Sequence, residues 1–205
     1  MSVAAEAVTV RRLGRADYVA TWQAMREFTR RRDEAMPDEL WLLEHPPVYT
    51  LGQGADPAFG PGTSVIPIIQ SDRGGEITYH GPGQLVVYTL VDLSRRGIKV
   101  KQFVSLLEQA VLELLDGRGE RRPGAPGVYV DGAKIAALGI RVSRGRAYHG
   151  IALNVDMDLS PFRAIAPCGY PGLAVTQMRD LGARETMDEL GERLAAGIIT
   201  GLEHA

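Results

Sequence analysis

The sequence predicts an α/β (α+β) chain in which a mixed β-sheet is flanked by helices. Three observations carry this. Apolar residues recur at helical spacing in three stretches, near the start, in the middle and at the end of the chain. Short runs of strand character separate those stretches. Three consecutive strand runs are joined by turn signals tight enough only for hairpins, so strict βαβ alternation is excluded and the sheet mixes orientations.

Taken in order, Val8 to Leu13 reads as a first strand, and Asp17 stands where a helix N-cap belongs. Tyr18, Trp22, Met25 and Phe28 predict an amphipathic helix over Tyr18 to Arg32, ending in Arg30-Arg31-Arg32-Asp33-Glu34, a charge run expected to be a solvated face. Glu39 to Glu44 is a strand with Trp41, Leu42 and Leu43 as core, stopped by His45-Pro46-Pro47; Val48 to Leu51 is a short extended piece. Gln53 to Thr63 is a loop, Val65 to Gln70 a strand, and Leu85 to Leu90 another. Lys101 to Asp116 carries a helical stripe through Phe103, Val104, Leu107, Val111, Leu114 and Leu115 and ends at Gly117; Arg118 to Ala125 is a loop. Gly127–Val130, Lys134–Val142 and Arg146–Asn154 form the meander, turned at Asp131-Gly132 and Ser143-Arg144-Gly145. Pro161 to Gly172 is irregular. Thr186 and Glu189 have capping-box spacing ahead of a helical stripe at Met187, Leu190, Leu194, Ile198 and Leu202.

Composition bounds the function. The 205 residues are expected to form one domain spanning 1–205, with 45% hydrophobic and 23% charged residues, ordinary for a globular protein. A net charge of −2 gives no reason to expect nucleic acid or an anionic membrane as partner. Cys168 is the single cysteine, which excludes an internal disulfide framework and fits a reducing cytoplasm. Met1 to Val10 contains Glu6 and no long apolar run, so a signal peptide is not expected, and no apolar stretch reaches membrane-spanning length.

The chemistry concentrates in a few places. Arg73-Gly74-Gly75-Glu76-Ile77-Thr78-Tyr79-His80-Gly81-Pro82-Gly83-Gln84 packs four glycines around a Tyr-His pair, which suits either a turn or a loop that another molecule approaches closely. Cys168 sits between prolines and glycines in Ala166-Pro167-Cys168-Gly169-Tyr170-Pro171-Gly172. That setting suits a fixed, accessible turn; a lone cysteine is otherwise a small buried hydrophobe. A reactive thiolate needs a cation or base beside it, and Lys134, His80 and His149 are the candidates. Lys134 lies among Ala133, Ile135, Ala136, Ala137 and Leu138, so it either reaches out to water or is held inward. One cysteine and four histidines without ligand spacing give no metal site, and there is no Walker A pattern.

Four pieces in order, Arg73 to Gln84, Gly127-Val-Tyr-Val130 with Lys134-Ile135 and Leu138-Gly139, His149-Gly-Ile-Ala-Leu-Asn154, and Pro167-Cys-Gly-Tyr170, resemble the lipoyl(octanoyl) transferases. The likeness covers roughly Glu44 to Met178. It implies a cytoplasmic acyltransferase of lipoate biosynthesis. The donor it implies is octanoyl-acyl carrier protein, and the acceptors are lipoyl domains of 2-oxoacid dehydrogenases and the glycine cleavage H protein. No cofactor is called for. It implies Cys168 as acyl-thioester nucleophile and Lys134 as the partner that lowers the cysteine's pKa, which would place the lysine inward. It assigns acyl binding to Arg73, Gly74, Gly75, Glu76, Ile77, Thr78, Tyr79 and His80, to Ala137, Leu138 and Gly139, and to Gly150, Ile151 and Ala152. The implied fold is that of biotin and lipoate protein ligase catalytic domains. The chain departs from the family pattern in a short Gly117–Ala125 connection and in Ala137, often a serine.

Overall fold

The computed structural model describes residues 7–165 and 173–205. Two sheets organise it. Seven strands form the larger: β1 (Val8–Arg15), β2 (Asp38–Glu44), β6 (Gln84–Asp92), β7 (Glu120–Arg121), β8 (Gly127–Val130), β9 (Ala133–Ser143) and β10 (Arg146–Asn154), in the order β1-β2-β6-β10-β9-β8-β7. Within it β1 and β2 run parallel and the other pairs antiparallel. A smaller sheet, β4 (Ile68–Gln70), β3 (Val48–Leu51) and β5 (Ile77–His80), pairs β3 parallel to β4 and antiparallel to β5. Both sheets are mixed, as the sequence predicts.

β6 shows why the sheet is central. All nine of its residues are buried, so it reads as an unbroken apolar run. Leu85, Val87 and Val91 face a core closed by helices α3 (Val100–Leu114) and α4 (Met187–Glu203), through Phe103, Leu107, Leu194 and Ile198. Val86, Tyr88 and Leu90 face the other way, against Met25 of helix α1 (Tyr18–Arg31) and Trp41. Asp17 caps α1 by accepting from the Ala20 N–H at 2.9 Å, and Thr186 and Glu189 close a reciprocal capping box on α4. Both hairpin turns take positive φ at their central pair, Asp131-Gly132 and Arg144-Gly145, which matches the strand twist.

Several elements differ from the sequence reading. The strand expected over Val65 to Gln70 is confined to β4, and Val65 is fully exposed. Part of the glycine-rich stretch is itself a strand, β5, because Val48–Leu51 offers it an edge. A short helix α2 (Leu93–Arg96) follows β6, capped by Asp92, and β7 interrupts the loop expected over Arg118 to Ala125. Single 3-10 turns occur at Pro57–Phe59, Ser160–Ala164 and Met178–Leu181. The charge run at the end of α1 is not uniformly solvated. Arg30 and Arg31 are exposed, but Arg32 is buried, donating to the Leu90 carbonyl and to Asp38, a fully buried carboxylate that Arg95 and Arg96 also hold. A buried carboxylate demands compensation that a surface charge run does not reveal.

Candidate active site

A cavity of about 340 Å³ lies between the glycine-rich stretch and the α1-facing side of β6, β10 and β9. Its wall includes Arg73 to Thr78 and His80, Ala137 to Gly139, and Gly150 to Ala152, together with Lys134. The three stretches assigned from sequence therefore converge on one space. Tyr79 alone among the described candidates does not line it; its ring packs into a third core against Tyr49 and Phe162.

Glycines let the loop lie flat on β9. The Gly74 N–H donates to the Ile140 carbonyl at 2.9 Å, and a Cβ at Gly139 would stand 2.9 Å from the Gly74 carbonyl oxygen. A Cβ at Gly52 would fall 2.0 Å from the Gly75 oxygen. The Arg73 guanidinium ties this loop to β3: Nε and Nη2 donate to Thr50 Oγ1 at 3.0 and 2.9 Å, and Nη2 to the Thr50 carbonyl at 2.6 Å. Arg73 thus builds the wall as well as lining it.

β10 breaks the alternation of a regular strand. His149 has φ +62, and as a result both Tyr148 and His149 reach Asp72, at 2.5 Å from Tyr148 Oη and 2.8 Å from His149 Nε2. In a regular strand these neighbours would point to opposite faces. Trp22 Nε1 donates to the same carboxylate at 2.7 Å. Burial would raise the Asp72 carboxyl, but the hydrogen bonds from His149, Tyr148 and Trp22 outweigh it and bring the group to about 2. Burial lowers His149 despite that carboxylate, so the imidazole is neutral at pH 7 and donates from Nε2.

His80 is also neutral, lowered to about 3 by burial and by His45 and Arg73 nearby. It sits in a chain of polar contacts that crosses the cavity floor. Thr50 Oγ1 lies 3.4 Å from its Nε2, and Nδ1 donates to Gln84 Oε1 at 2.7 Å. Gln84 Nε2 donates to Asn154 Oδ1 at 3.0 Å, and Asn154 Nδ2 to the Thr176 carbonyl at 3.0 Å. Asp72, Asn154 and the cavity-lining Tyr18 and Tyr88 are not singled out by the sequence as site residues. Gln84 and Asn154 stand inside recognisable motifs, whereas Asp72 meets His149 across 77 residues, with no local signal.

Of the two placements the sequence allows Lys134, the inward one holds. Lys134 is 6% exposed and lines the cavity. Its Nζ donates to the Pro126 carbonyl at 3.1 Å and lies 5.2 Å from the Tyr129 ring centroid. Its backbone is clamped by the chain at 174–176: the Lys134 N–H donates to the Ala174 carbonyl at 2.8 Å, and the Thr176 N–H to the Lys134 carbonyl at 3.0 Å. Cys168, the expected nucleophile, lies outside the described residues. Phe162 and Val175, on either side of that segment, both line the cavity.

Comparison with known proteins shows the family and the fold. Residues 17–199 match the family described as the lipoyl protein ligase A/B catalytic domain. The chain is 58% identical over 195 residues to an octanoyltransferase of Aromatoleum aromaticum, covering 94% of this chain and 84% of that protein. In fold it is similar to a lipoate-protein ligase A bound with ATP, with a TM-score of 0.71, 17% identity, and coverage of 95% and 86%. A biotin protein ligase from Aquifex aeolicus in complex with biotin and ATP gives a TM-score of 0.60 at 13% identity, with coverage of 95% and 70%.

Proposed function

This chain belongs to the lipoyl protein ligase A/B catalytic domain family, and we propose that it is an octanoyltransferase of protein lipoylation working through a thioester on Cys168. On this reading the donor is octanoyl-acyl carrier protein and the acceptor a lysine of a lipoyl domain. One observation carries the reading furthest. Lys134 is buried in the wall of the cavity, and its backbone holds Ala174, six residues beyond Cys168 in the chain. Phe162, six residues before Cys168 in the chain, lines the same cavity.

The two steps balance without a nucleotide. Cys168 gives its proton to Lys134, and the thiolate, held by the ammonium, attacks the donor's thioester carbonyl. The tetrahedral oxyanion collapses, the C–S bond to phosphopantetheine breaks, and the leaving thiolate takes the proton from Lys134. The neutral amine of the acceptor lysine then attacks the Cys168 thioester. Collapse expels the Cys168 thiolate, and the nitrogen loses its proton to Lys134, restoring the starting ion pair. An N–H aimed at the oxyanion is worth about 3 kcal/mol in such reactions. On this reading the octanoyl chain lies in the cavity that Ala137–Gly139 and Gly150–Ala152 help to wall.

The test is transfer in the absence of any nucleotide. Purified protein with octanoyl-acyl carrier protein and a lipoyl domain should form the octanoylated domain without ATP, and Lys134→Ala should slow it by about 10²–10⁴-fold, the range general acid–base groups command. A requirement for ATP, or full activity in Lys134→Ala, would overturn the reading.

A further inference from the structure

The catalytic lysine needs a device of its own. A buried ammonium such as that of Lys134 needs surroundings that replace water. Among the groups that meet it are two such replacements, from one strand and one turn. The Pro126 carbonyl accepts from Nζ, and the Tyr129 ring on β8 presents its π system at 5.2 Å. Tyr129 is 1% exposed, and its hydroxyl donates to the Ala125 carbonyl at 3.1 Å, so the residue that faces the ammonium also holds the turn that offers it a carbonyl.

The rest of the turn is built for the same end. Gly127, at φ +137, has no room for a side chain: a Cβ there would stand 2.6 Å from the Ala136 oxygen and 3.0 Å from Lys134 Cε. Its N–H donates to Glu108 of α3 at 3.0 Å, and Glu108 also pairs with Arg121 at 3.3 Å. The Arg122 guanidinium lies 4.4 Å from the Tyr129 ring centroid. Glu108 of α3, Arg121 of β7 and Arg122 bring further charge to this corner.

We propose that Tyr129 is a positioning residue of the acyl transfer: its ring face holds the Lys134 side chain in place at the cavity wall, while its hydroxyl fixes the Ala125–Gly127 turn. The inference rests on the reading of Lys134 as the activator of Cys168.

The test is the pH profile of Cys168 alkylation by iodoacetamide, measured on the full chain with Lys134→Ala in parallel. Tyr129→Phe keeps the ring and should stay within about 3-fold of the parent. Tyr129→Leu removes the ring, and at pH 7 alkylation should slow by about 10-fold, with the inflection about one pH unit higher. Phenylalanine analogues carrying one, two and three ring fluorines at position 129 preserve shape while draining the π face. They should slow the reaction stepwise, whether or not Tyr129→Leu folds. A flat fluorine series overturns the inference, as does equal loss in the Phe and Leu variants. If Lys134→Ala itself alkylates at the parent rate, the reading of Lys134 falls first; if it is slow and the Tyr129 series is flat, only the present inference falls.

Discussion

His80 shows at the scale of one residue how the cavity constrains stability. It is neutral in the folded chain down to about 3, whereas an unfolded histidine takes its proton near 6.5. Between those values the unfolded state binds more protons, so stability is fully present above about 6.5 and falls as the pH is lowered toward 3. One such histidine contributes a slope of about 1.4 kcal/mol per pH unit, and His45 and His149, lowered by burial, act in the same direction. Urea denaturation of the parent and His80→Gln between pH 7 and pH 4 should show the shallower acid loss in the variant. Equal slopes would mean that His80 is protonated in the folded protein. Asp72 has the opposite origin, a carboxylate held near 2 by its donors, and its contribution is lost only as the pH falls from about 4 through 2.

The strand β10 decides at the scale of an element what the cavity can be. Its Gly150 leaves no room for a methyl group, since a Cβ would stand 2.1 Å from the Val87 oxygen of β6. Gly150→Ala should therefore destabilise by about 3 kcal/mol through displaced strands. Gly97→Ala, where a Cβ meets nothing within 4 Å but φ is +69, should cost about 1 kcal/mol. Thermal melts of the two variants compare them directly, and a smaller loss for Gly150→Ala would contradict the packing described. The same strand marks how far the sequence is legible. Helices α1, α3 and α4 and the strands β6, β8 and β9 announce themselves by apolar period and by turns such as Asp131-Gly132, because those signals are local. The convergence of Arg73–His80 with Ala137–Gly139 and Gly150–Ala152 is legible only through the family resemblance. The turning of His149 toward Asp72, the burial of Arg32 beside Asp38 and the hidden strand β5 each depend on a partner distant in sequence, so no window of residues contains them.

At the scale of the whole molecule, the two sheets and the returning chain at 173–176 form one polar circuit around an otherwise apolar pocket. It runs from Thr50 through His80, Gln84 and Asn154 to Thr176, whose N–H reaches the backbone of Lys134. The small sheet, the central strands and the lysine are thereby fixed relative to one another before any substrate arrives, the preorganisation that covalent catalysis requires. The claim that this scaffold serves a thioester on Cys168 is open to direct measurement. Intact-protein mass spectrometry after brief incubation with octanoyl-acyl carrier protein, without acceptor, should show a single octanoyl adduct that disappears on adding a lipoyl domain and never forms in Cys168→Ala. An adduct that persists in Cys168→Ala, or octanoyl transfer that proceeds undiminished in that variant, would contradict it.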